Sequence, residues 1–246
     1  MVSFDARDPG TANATWLSDP RLHALPRLDL AGVTDLVVLS AHPDDETLGA
    51  GGTIALARSQ GIPVTIVVVT DGAASEAGRD DLAAIRAAEM REAAGMLGAG
   101  PPRLLGFPDG GVREAVPEVT RAVDEVLSGH PTALVLAPWR GDGHRDHRIV
   151  GEIAAALAEG LGLVLWEYPV WMWHWGSPAH PDVPWDRLRG MPLVAYARGA
   201  KGRALGAFES QVSARSGESG GGAEPPVLHE RFLANFDRAA EVFVVG

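Results

Sequence analysis

Apolar runs rich in Val, Ile and Leu alternate along the chain with segments in which apolar residues recur at helical spacing. The apolar runs predict buried strands at residues 35–40, 64–70, 102–107, 132–139 and 161–170. The helical spacing predicts helices at residues 47–61, 80–98, 116–130 and 144–160. Continuous apolar strands separated by helices are typical of a mainly parallel sheet with helices on both faces. We therefore predict an α/β fold, a Rossmann-like three-layer sandwich with its functional site at the carboxyl ends of the strands.

The length of 246 residues fits a single domain, which we predict to span residues 1–246. Its core is expected at about 34–170. The segment 171–246 is less regular and begins with tryptophans and prolines that we expect to form a wall of the substrate site. A Gly- and Ser-rich stretch at 213–226 has the composition of a mobile loop. Residues 228–246 predict a closing helix and a last strand.

Composition narrows the range of partners. The formal net charge is -11, which disfavours binding to nucleic acid or to anionic membranes. The chain has no cysteine, so disulfides, thiolate metal sites and cysteine nucleophiles are excluded. No signal-peptide pattern is present, and the longest apolar stretch is too short to span a bilayer. We expect a cytoplasmic protein that acts on a small molecule; its oligomeric state is left open, and a homo-oligomer is compatible with the sequence.

A cluster of polar residues, His42-Pro43-Asp44-Asp45-Glu46, follows the first predicted strand. His42 and Asp45 are three positions apart at a turn from strand to helix, so their side chains can meet at one point. Asp44 can face the same space without sharing the same ion. The alternative is that one aspartate caps the next helix, the commonest task of Asp at such a place. One cap explains one carboxylate but not a cluster with a histidine.

A second cluster follows the fourth predicted strand, where His144 and His147 stand at i and i+3 near the start of a helix. The pair alone is equally explained by a solvated helix face. Combined with the first cluster on a neighbouring strand end, it predicts a metal centre, because two imidazoles, one carboxylate and an open position form a recurrent catalytic zinc set. Such a set also accepts iron, cobalt or nickel.

The stretch "AHPDDETLGAGG", followed far downstream by "GHRDH", resembles the LmbE-like, or PIG-L, family of zinc-dependent N-deacetylases. The resemblance covers about residues 34–170. It implies removal of an acetyl group from an N-acetylglucosamine-type small molecule. It further implies that His42, Asp45 and His147 bind one zinc ion, that Asp44 is the general base, and that His144 stabilises the oxyanion or protonates the leaving amine. Asp146 stands where it can orient a histidine through a hydrogen bond.

Further residues are candidates for contacts with the substrate. Arg86 lies on a charged helix, Asp109 follows a strand end, and Arg140 precedes the second cluster. Trp171 and Trp173 belong to an alternating series of tryptophans, one face of which is expected to line the pocket. The glycines at 49–52 lack the spacing of a dinucleotide loop, so we interpret them as packing positions.

The sequence leaves three other functions open. An amidase that cleaves a sugar–thiol conjugate or another non-acetyl amide would use the same residues. Another hypothesis is a non-catalytic sugar- or metal-binding protein. The presence of all the expected metal ligands and of the expected general base argues against it. A nucleotide-binding regulator is the least favoured function because no phosphate loop is present.

Overall fold

The alternation of strands and helices is present in the structure. The computed structural model describes residues 4–5, 8–75, 79, 81–213 and 226–246. The strands are β1 (Leu36–Ser40), β2 (Val64–Thr70), β3 (Arg103–Phe107), β4 (Leu134–Pro138), β5 (Val164–Tyr168), β6 (Leu188–Pro192) and β7 (Ala240–Val245). The helices are α1 (Asn13–Leu17), α2 (Pro20–His23), α3 (Asp45–Ser59), α4 (Leu82–Met96), α5 (Val116–Ser128), α6 (Arg145–Leu161), α7 (Met172–Trp175), α8 (Ala195–Gly206), α9 (Glu209–Val212) and α10 (Glu230–Leu233).

The strands form one sheet in the order β3-β2-β1-β4-β5-β7-β6. Strands β1 to β5 pair in parallel, and β7 pairs antiparallel with both β5 and β6. The predicted α/β fold is therefore confirmed. From β1 the chain proceeds outward to β2 and β3, then crosses back to β4 on the other side of β1. This reversal opens a crevice beyond the carboxyl ends of β1 and β4, where open α/β sheets bind ligands.

Side chains of β1 alternate between two apolar clusters, one on each face of the sheet. Leu36 and Val38 belong to a cluster with residues of α3, α4 and α8, among them Ile54, Met90 and Ala200. Val37 and Leu39 belong to a cluster with residues of α5 and α6, among them Val123, Val150 and Ile153. The sheet is thus covered on both sides. Among the described residues, no helix combines the length and the apolar character needed to cross a bilayer.

The glycines of α3 occupy positions of close packing, as interpreted from the sequence. A Cβ atom at Gly49 would lie 2.1 Å from Cδ2 of Tyr168, a residue of β5. At Gly52 it would lie 2.4 Å from Cδ1 of Leu193. The absence of side chains at these two positions lets α3 approach its neighbours closely.

The segment after β5 differs from the prediction in two ways. The strand prediction at 161–170 is too long, because β5 ends at Tyr168 and the tryptophans that follow enter the short helix α7. Strand β6 was not predicted, since its sequence LRGMP contains glycine and proline and lacks β-branched residues. The predicted closing helix and strand correspond to α10 and β7. Most of the predicted mobile loop at 213–226 lies outside the described residues. So does Asp80, the first residue of the helix predicted at 80–98.

Candidate active site

Asp44 joins β1 to α3 in an unusual backbone conformation. Its φ is 131° and its ψ is -28°, and it is the one non-glycine residue with positive φ in the described part of the chain. Such a conformation costs about 1–3 kcal/mol and persists only where the surroundings impose it. Although Asp44 stands at the N-cap position of α3, its side chain makes no capping hydrogen bond. Helix capping therefore does not explain this carboxylate.

Arg86 of α4 holds the turn at Asp44 in place. Its Nη2 atom donates to the carbonyl oxygen of Pro43 at 2.5 Å and to Oδ2 of Asp44 at 2.8 Å, and its Nη1 atom donates to the carbonyl oxygen of Gly72 at 2.7 Å. The Arg86 side chain is 3% exposed. Although Arg86 borders the cavity described below, its guanidinium bonds the protein rather than extending freely towards a substrate. Burial raises the pKa of Asp44 to about 7, and the positive charge of Arg86 opposes this shift.

The other carboxylates of the first cluster have different surroundings. Oδ2 of Asp45 accepts a hydrogen bond from the backbone N–H of His42 at 2.8 Å. Glu46 is fully buried and accepts a hydrogen bond from the Ser40 hydroxyl at 3.0 Å. Glu46 thus belongs to the support of the turn, whereas Asp44 and Asp45 border the cavity.

Three imidazoles from the two sequence clusters converge at the crevice. The ring centroids of His42 and His147 are 5.3 Å apart, and His144 lies 4.9 Å and 4.7 Å from them. Asp45 adjoins two of these rings: its Oδ2 lies 3.4 Å from Nδ1 of His42 and its Oδ1 lies 3.2 Å from Nε2 of His147. Residues 99 to 105 positions apart in the chain therefore form one group, as the strand ends predicted.

The buried polar atoms of this group fit a metal ion. Nδ1 of His144 and Nε2 of His147 are buried without a hydrogen-bond partner, whereas most buried polar atoms in proteins are satisfied. One ring nitrogen from each of His42, His144 and His147 lies within 4.8 Å of those of the other two. The separations between Asp45 and the two imidazoles resemble the edge of about 3.3 Å that zinc–ligand bonds of about 2.0–2.1 Å impose on a tetrahedral site.

Two further carboxylates, those of Asp109 and Asp146, lie beside His42. Oδ1 of Asp109 lies 3.1 Å and Oδ2 of Asp146 lies 3.4 Å from Nε2 of His42. Asp146 also accepts a hydrogen bond from the backbone of Gly110 at 2.9 Å. Burial favours a higher pKa for Asp109, but the adjacent imidazole of His42 outweighs it and lowers the pKa to about 2. The histidine beside Asp146 is thus His42.

Asp142 is a site residue that the sequence analysis missed. Its Oδ2 atom lies 2.8 Å from Nδ1 of His147, and both side chains are fully buried. Burial by itself lowers the pKa of His147, but the carboxylates of Asp45 and Asp142 raise it to about 9. The available signal was an aspartate directly after a strand end, two residues before His144. By contrast, burial and the neighbouring imidazoles lower the pKa of His144 to about 3.

A cavity of about 300 Å³ opens onto these residues. Its lining includes the polar residues His42, Asp44, Asp45, Asp109 and His144. It also includes the apolar residues Phe4, Leu48, Val170, Trp171, Val227 and Leu228. Two larger cavities of about 520 and 560 Å³ are lined by none of the site residues described above, namely His42, Asp44, Asp45, Asp109, His144 and His147. The cluster and the smaller cavity together form the candidate active site.

Some of the predicted substrate contacts line the cavity, and others lie away from it. Trp171 lines the cavity, with its ring roughly parallel to that of His144 at a centroid distance of 6.4 Å. Trp173 lies instead in the core, edge-on to Trp16 at 4.9 Å. Arg140 lies outside the cavity lining, and its guanidinium pairs with Glu167 through bonds of 2.9 Å. The tryptophans do not share one face because residues 172–175 are helical rather than extended.

Comparison with known proteins identifies the family. Residues 37–158 match the family model described as PIG-L: GlcNAc-PI de-N-acetylase. The chain belongs to the PIG-L family. The matched region runs from β1 to α6 and contains both clusters of the candidate site.

Two PIG-L relatives differ in the molecules they are named for. The chain is 35% identical over 171 residues to the 1D-myo-inositol 2-acetamido-2-deoxy-alpha-D-glucopyranoside deacetylase of Nocardia farcinica, covering 56% of each chain. It is 31% identical over 138 residues to the probable N-acetyl-alpha-D-glucosaminyl L-malate deacetylase 2 of Bacillus anthracis, covering 52% of this chain and 60% of the relative. The chain thus spans somewhat more than half the length of these relatives.

A solved structure supports the fold of this PIG-L chain. The N,N'-diacetylchitobiose deacetylase from Pyrococcus horikoshii superposes with a TM-score of 0.60 at 22% identity, covering 75% of this chain and 73% of that one. At this identity the likeness concerns the fold.

Proposed function

We propose that this protein is a metal-dependent hydrolase that removes the N-acetyl group from a small molecule containing an N-acetylglucosamine-type sugar. The observation that carries the proposal is that Asp44 lines one cavity together with His42, Asp45 and His144, while a ring nitrogen of His147 lies within 4.8 Å of those of His42 and His144. The two curated relatives support the substrate class: both names specify a 2-acetamido or N-acetyl glucose unit, while the attached group differs.

His42, Asp45 and His147 would hold the metal, which we propose to be zinc. When bound, zinc lowers the pKa of a coordinated water to about 7 and polarises a carbonyl oxygen. Asp44 would remain outside this ligand set because Arg86 holds its Oδ2 atom at 2.8 Å. Two adjacent aspartates would thus have different tasks.

Asp44 acts as general base and accepts the proton of the attacking water. It is nearly buried yet borders the cavity, where a water beside the amide can reach it. General acid–base catalysis of this kind contributes about 10²–10⁴ in rate. His144 lines the same cavity and donates a hydrogen bond to the oxyanion. Asp44 then returns the proton it took from water to the amide nitrogen as the bond between the acyl carbon and nitrogen breaks, and acetate and the free amine leave.

The sugar would occupy the cavity between Asp109 and Trp171. Asp109 is partly exposed there and accepts hydrogen bonds from sugar hydroxyls, while the Trp171 ring packs against an apolar sugar face. Asp146 supports His42 rather than the substrate, since its carboxylate is fully buried.

A second candidate function is an amidase for a larger acyl group or another non-acetyl amide. The observation that favours it is the apolar part of the cavity lining, six hydrophobic side chains that include Trp171 next to His144. It would use the same metal ligands and the same base.

The decisive experiment measures acetate release from a panel of N-acetylglucosamine conjugates by zinc-loaded and by metal-stripped protein. Zinc-dependent release is the expected result. If the loaded protein released no acetate but cleaved longer N-acyl analogues, the amidase would replace the deacetylase. If it cleaved neither while binding zinc, the protein would be a binding protein and not a hydrolase.

A further inference from the structure

Asp142 takes no direct part in the proposed reaction, yet it has the most completely satisfied carboxylate near the site. It lies between β4 and α6 and is fully buried. Oδ2 lies 2.8 Å from Nδ1 of His147 and accepts from the backbone N–H of Trp171 at 2.9 Å. Oδ1 accepts from the backbone N–H groups of Val170 and Met172, both at 2.9 Å.

These four bonds join two parts of the site. An ionised carboxylate only accepts hydrogen bonds, so the Asp142 contact places the proton of His147 on Nδ1. When the ring is neutral, as a metal-binding histidine must be, Nε2, which faces Asp45 at 3.2 Å, is then left with a free lone pair. The other three bonds fix the connection from β5 to α7, from which Val170 and Trp171 line the cavity. The carbonyl oxygen of Asp142 also accepts from Nε1 of Trp175 at 2.7 Å.

We propose that Asp142 is a positioning residue that couples the metal ligand His147 to the substrate wall at Trp171. It fixes the imidazole in the form that leaves Nε2 free for a metal ion, and it fixes the backbone that carries the wall. The proposal rests on the proposed function, because it takes His147 as a metal ligand.

The geometry requires a carboxylate at this position. Each oxygen of Asp142 faces two N–H donors, so an amide of the same shape cannot replace it. Whichever way the amide of Asp142→Asn turned, its NH₂ group would face one pair of donors. Repulsion between the NH₂ group and that pair would displace the whole planar side chain, so the variant would disturb both the pair at Oδ1, which fixes the wall, and the pair at Oδ2, which includes His147.

The test compares Asp142→Asn with Glu241→Gln. Glu241 is also buried and accepts two backbone N–H bonds, from Gly52 and Thr53, but it lies outside the cavity lining. Zinc affinity is measured by competition with a chelator, and melting temperature is measured on the metal-free proteins. Asp142→Asn should bind zinc about 10–100-fold more weakly, the range typical for loss of a hydrogen-bond partner of a metal-ligating histidine. Glu241→Gln should lose stability but retain wild-type zinc affinity.

The wall is tested at saturating zinc, where KM for a deacetylation substrate should rise severalfold in Asp142→Asn. Wild-type zinc affinity in a folded Asp142→Asn protein would overturn the link to the metal, and an unchanged KM would overturn the link to the wall. A wild-type protein that bound no zinc would overturn the proposed function together with this inference. If the wild-type protein bound zinc and Asp142→Asn matched it in zinc affinity and in KM, the role of Asp142 alone would be overturned.

A direct measurement covers the case in which Asp142→Asn does not fold. Nitrogen-15 NMR of histidine-labelled, zinc-loaded wild-type protein should show His147 protonated at Nδ1, with its signals assigned by their loss in His147→Gln. A His147 protonated at Nε2 would contradict the proposal.

Discussion

At the residue scale, Asp44 combines a strained backbone with a buried charge. Its φ of 131° is imposed by neighbours, and Arg86 binds both its carboxylate and the preceding carbonyl group. The sequence cluster predicted that Asp44 and Asp45 differ in task. It did not predict what keeps Asp44 apart, because Arg86 is 42 positions away and its pattern is typical of an exposed helix face.

Asp44→Asn should lower kcat by about 10²–10⁴ without removing the metal. The amide has nearly the same shape as the carboxylate but cannot accept the proton of water, so the loss equals the contribution of general base catalysis. The measurement is kcat together with zinc content per chain. Activity close to wild type would disprove the assigned base, and loss of zinc would instead indicate that Asp44 belongs to the ligand set.

Arg86→Met should reduce the free energy of unfolding by about 3–5 kcal/mol, because it leaves the Asp44 carboxylate buried without its partner. Urea denaturation of the metal-free protein measures this change. Arg91→Met is the matched control: Arg91 lies on the same helix α4 but is exposed, so its replacement should change stability by no more than about 0.5 kcal/mol. Equal effects of the two substitutions would show that the Arg86 contacts carry no special weight.

At the scale of elements, the strands with continuous β-branched residues were predicted within a few positions, and β6 was missed. Residues 64–70 read VTIVVVT and form β2 over the whole range. Residues 188–192 read LRGMP, and their strand is defined by pairing with β7 rather than by local preference. Likewise, the alternating tryptophans at 171–175 predicted a strand face, but backbone bonds to Asp142 hold them in a turn that leads into α7.

Gly49→Ala should destabilise the protein by about 1–3 kcal/mol, the usual cost of overpacking. The added methyl group would lie 2.1 Å from the ring of Tyr168, which is fixed by its hydroxyl bond to Leu39. Gly95→Ala is the control, because Gly95 is an exposed helix position of α4 with no atom within 4 Å of the added carbon. It should stabilise by about 0.5–1 kcal/mol. Thermal unfolding of both variants decides the matter, and a neutral Gly49→Ala would refute the packing interpretation.

At the scale of the whole molecule, the position of the site was predictable because carboxyl ends of parallel strands share one edge of a sheet. His42 after β1 and His147 in the helix after β4 meet for this reason. The order of the strands was not predictable from local pattern, and neither was the antiparallel β7 between β5 and β6. Asp142 was missed because its importance arises from contacts with residues 28–30 positions away.

Removal of zinc should lower the melting temperature by about 5–10 °C relative to protein held at 100 times the Kd. Binding to the folded state alone contributes about 2.7 kcal/mol at that concentration, and each kcal/mol shifts the midpoint of a chain of this size by about 2–4 °C. Calorimetry with and without a chelator measures the shift. His147→Ala should melt at the same temperature in both conditions; a zinc-dependent shift in that variant would place the ion elsewhere.

The placement of β7 has a consequence for synthesis. Within the part of the chain that the structure describes, strand β6 pairs antiparallel with β7 alone, and residues 193–239 must leave the ribosome between the two. During that interval the nascent chain carries an unfinished sheet edge beside an already formed βαβ core, a state prone to aggregation. The yield of native protein should therefore depend on how fast the ribosome translates codons 193–245, even when the finished protein is stable.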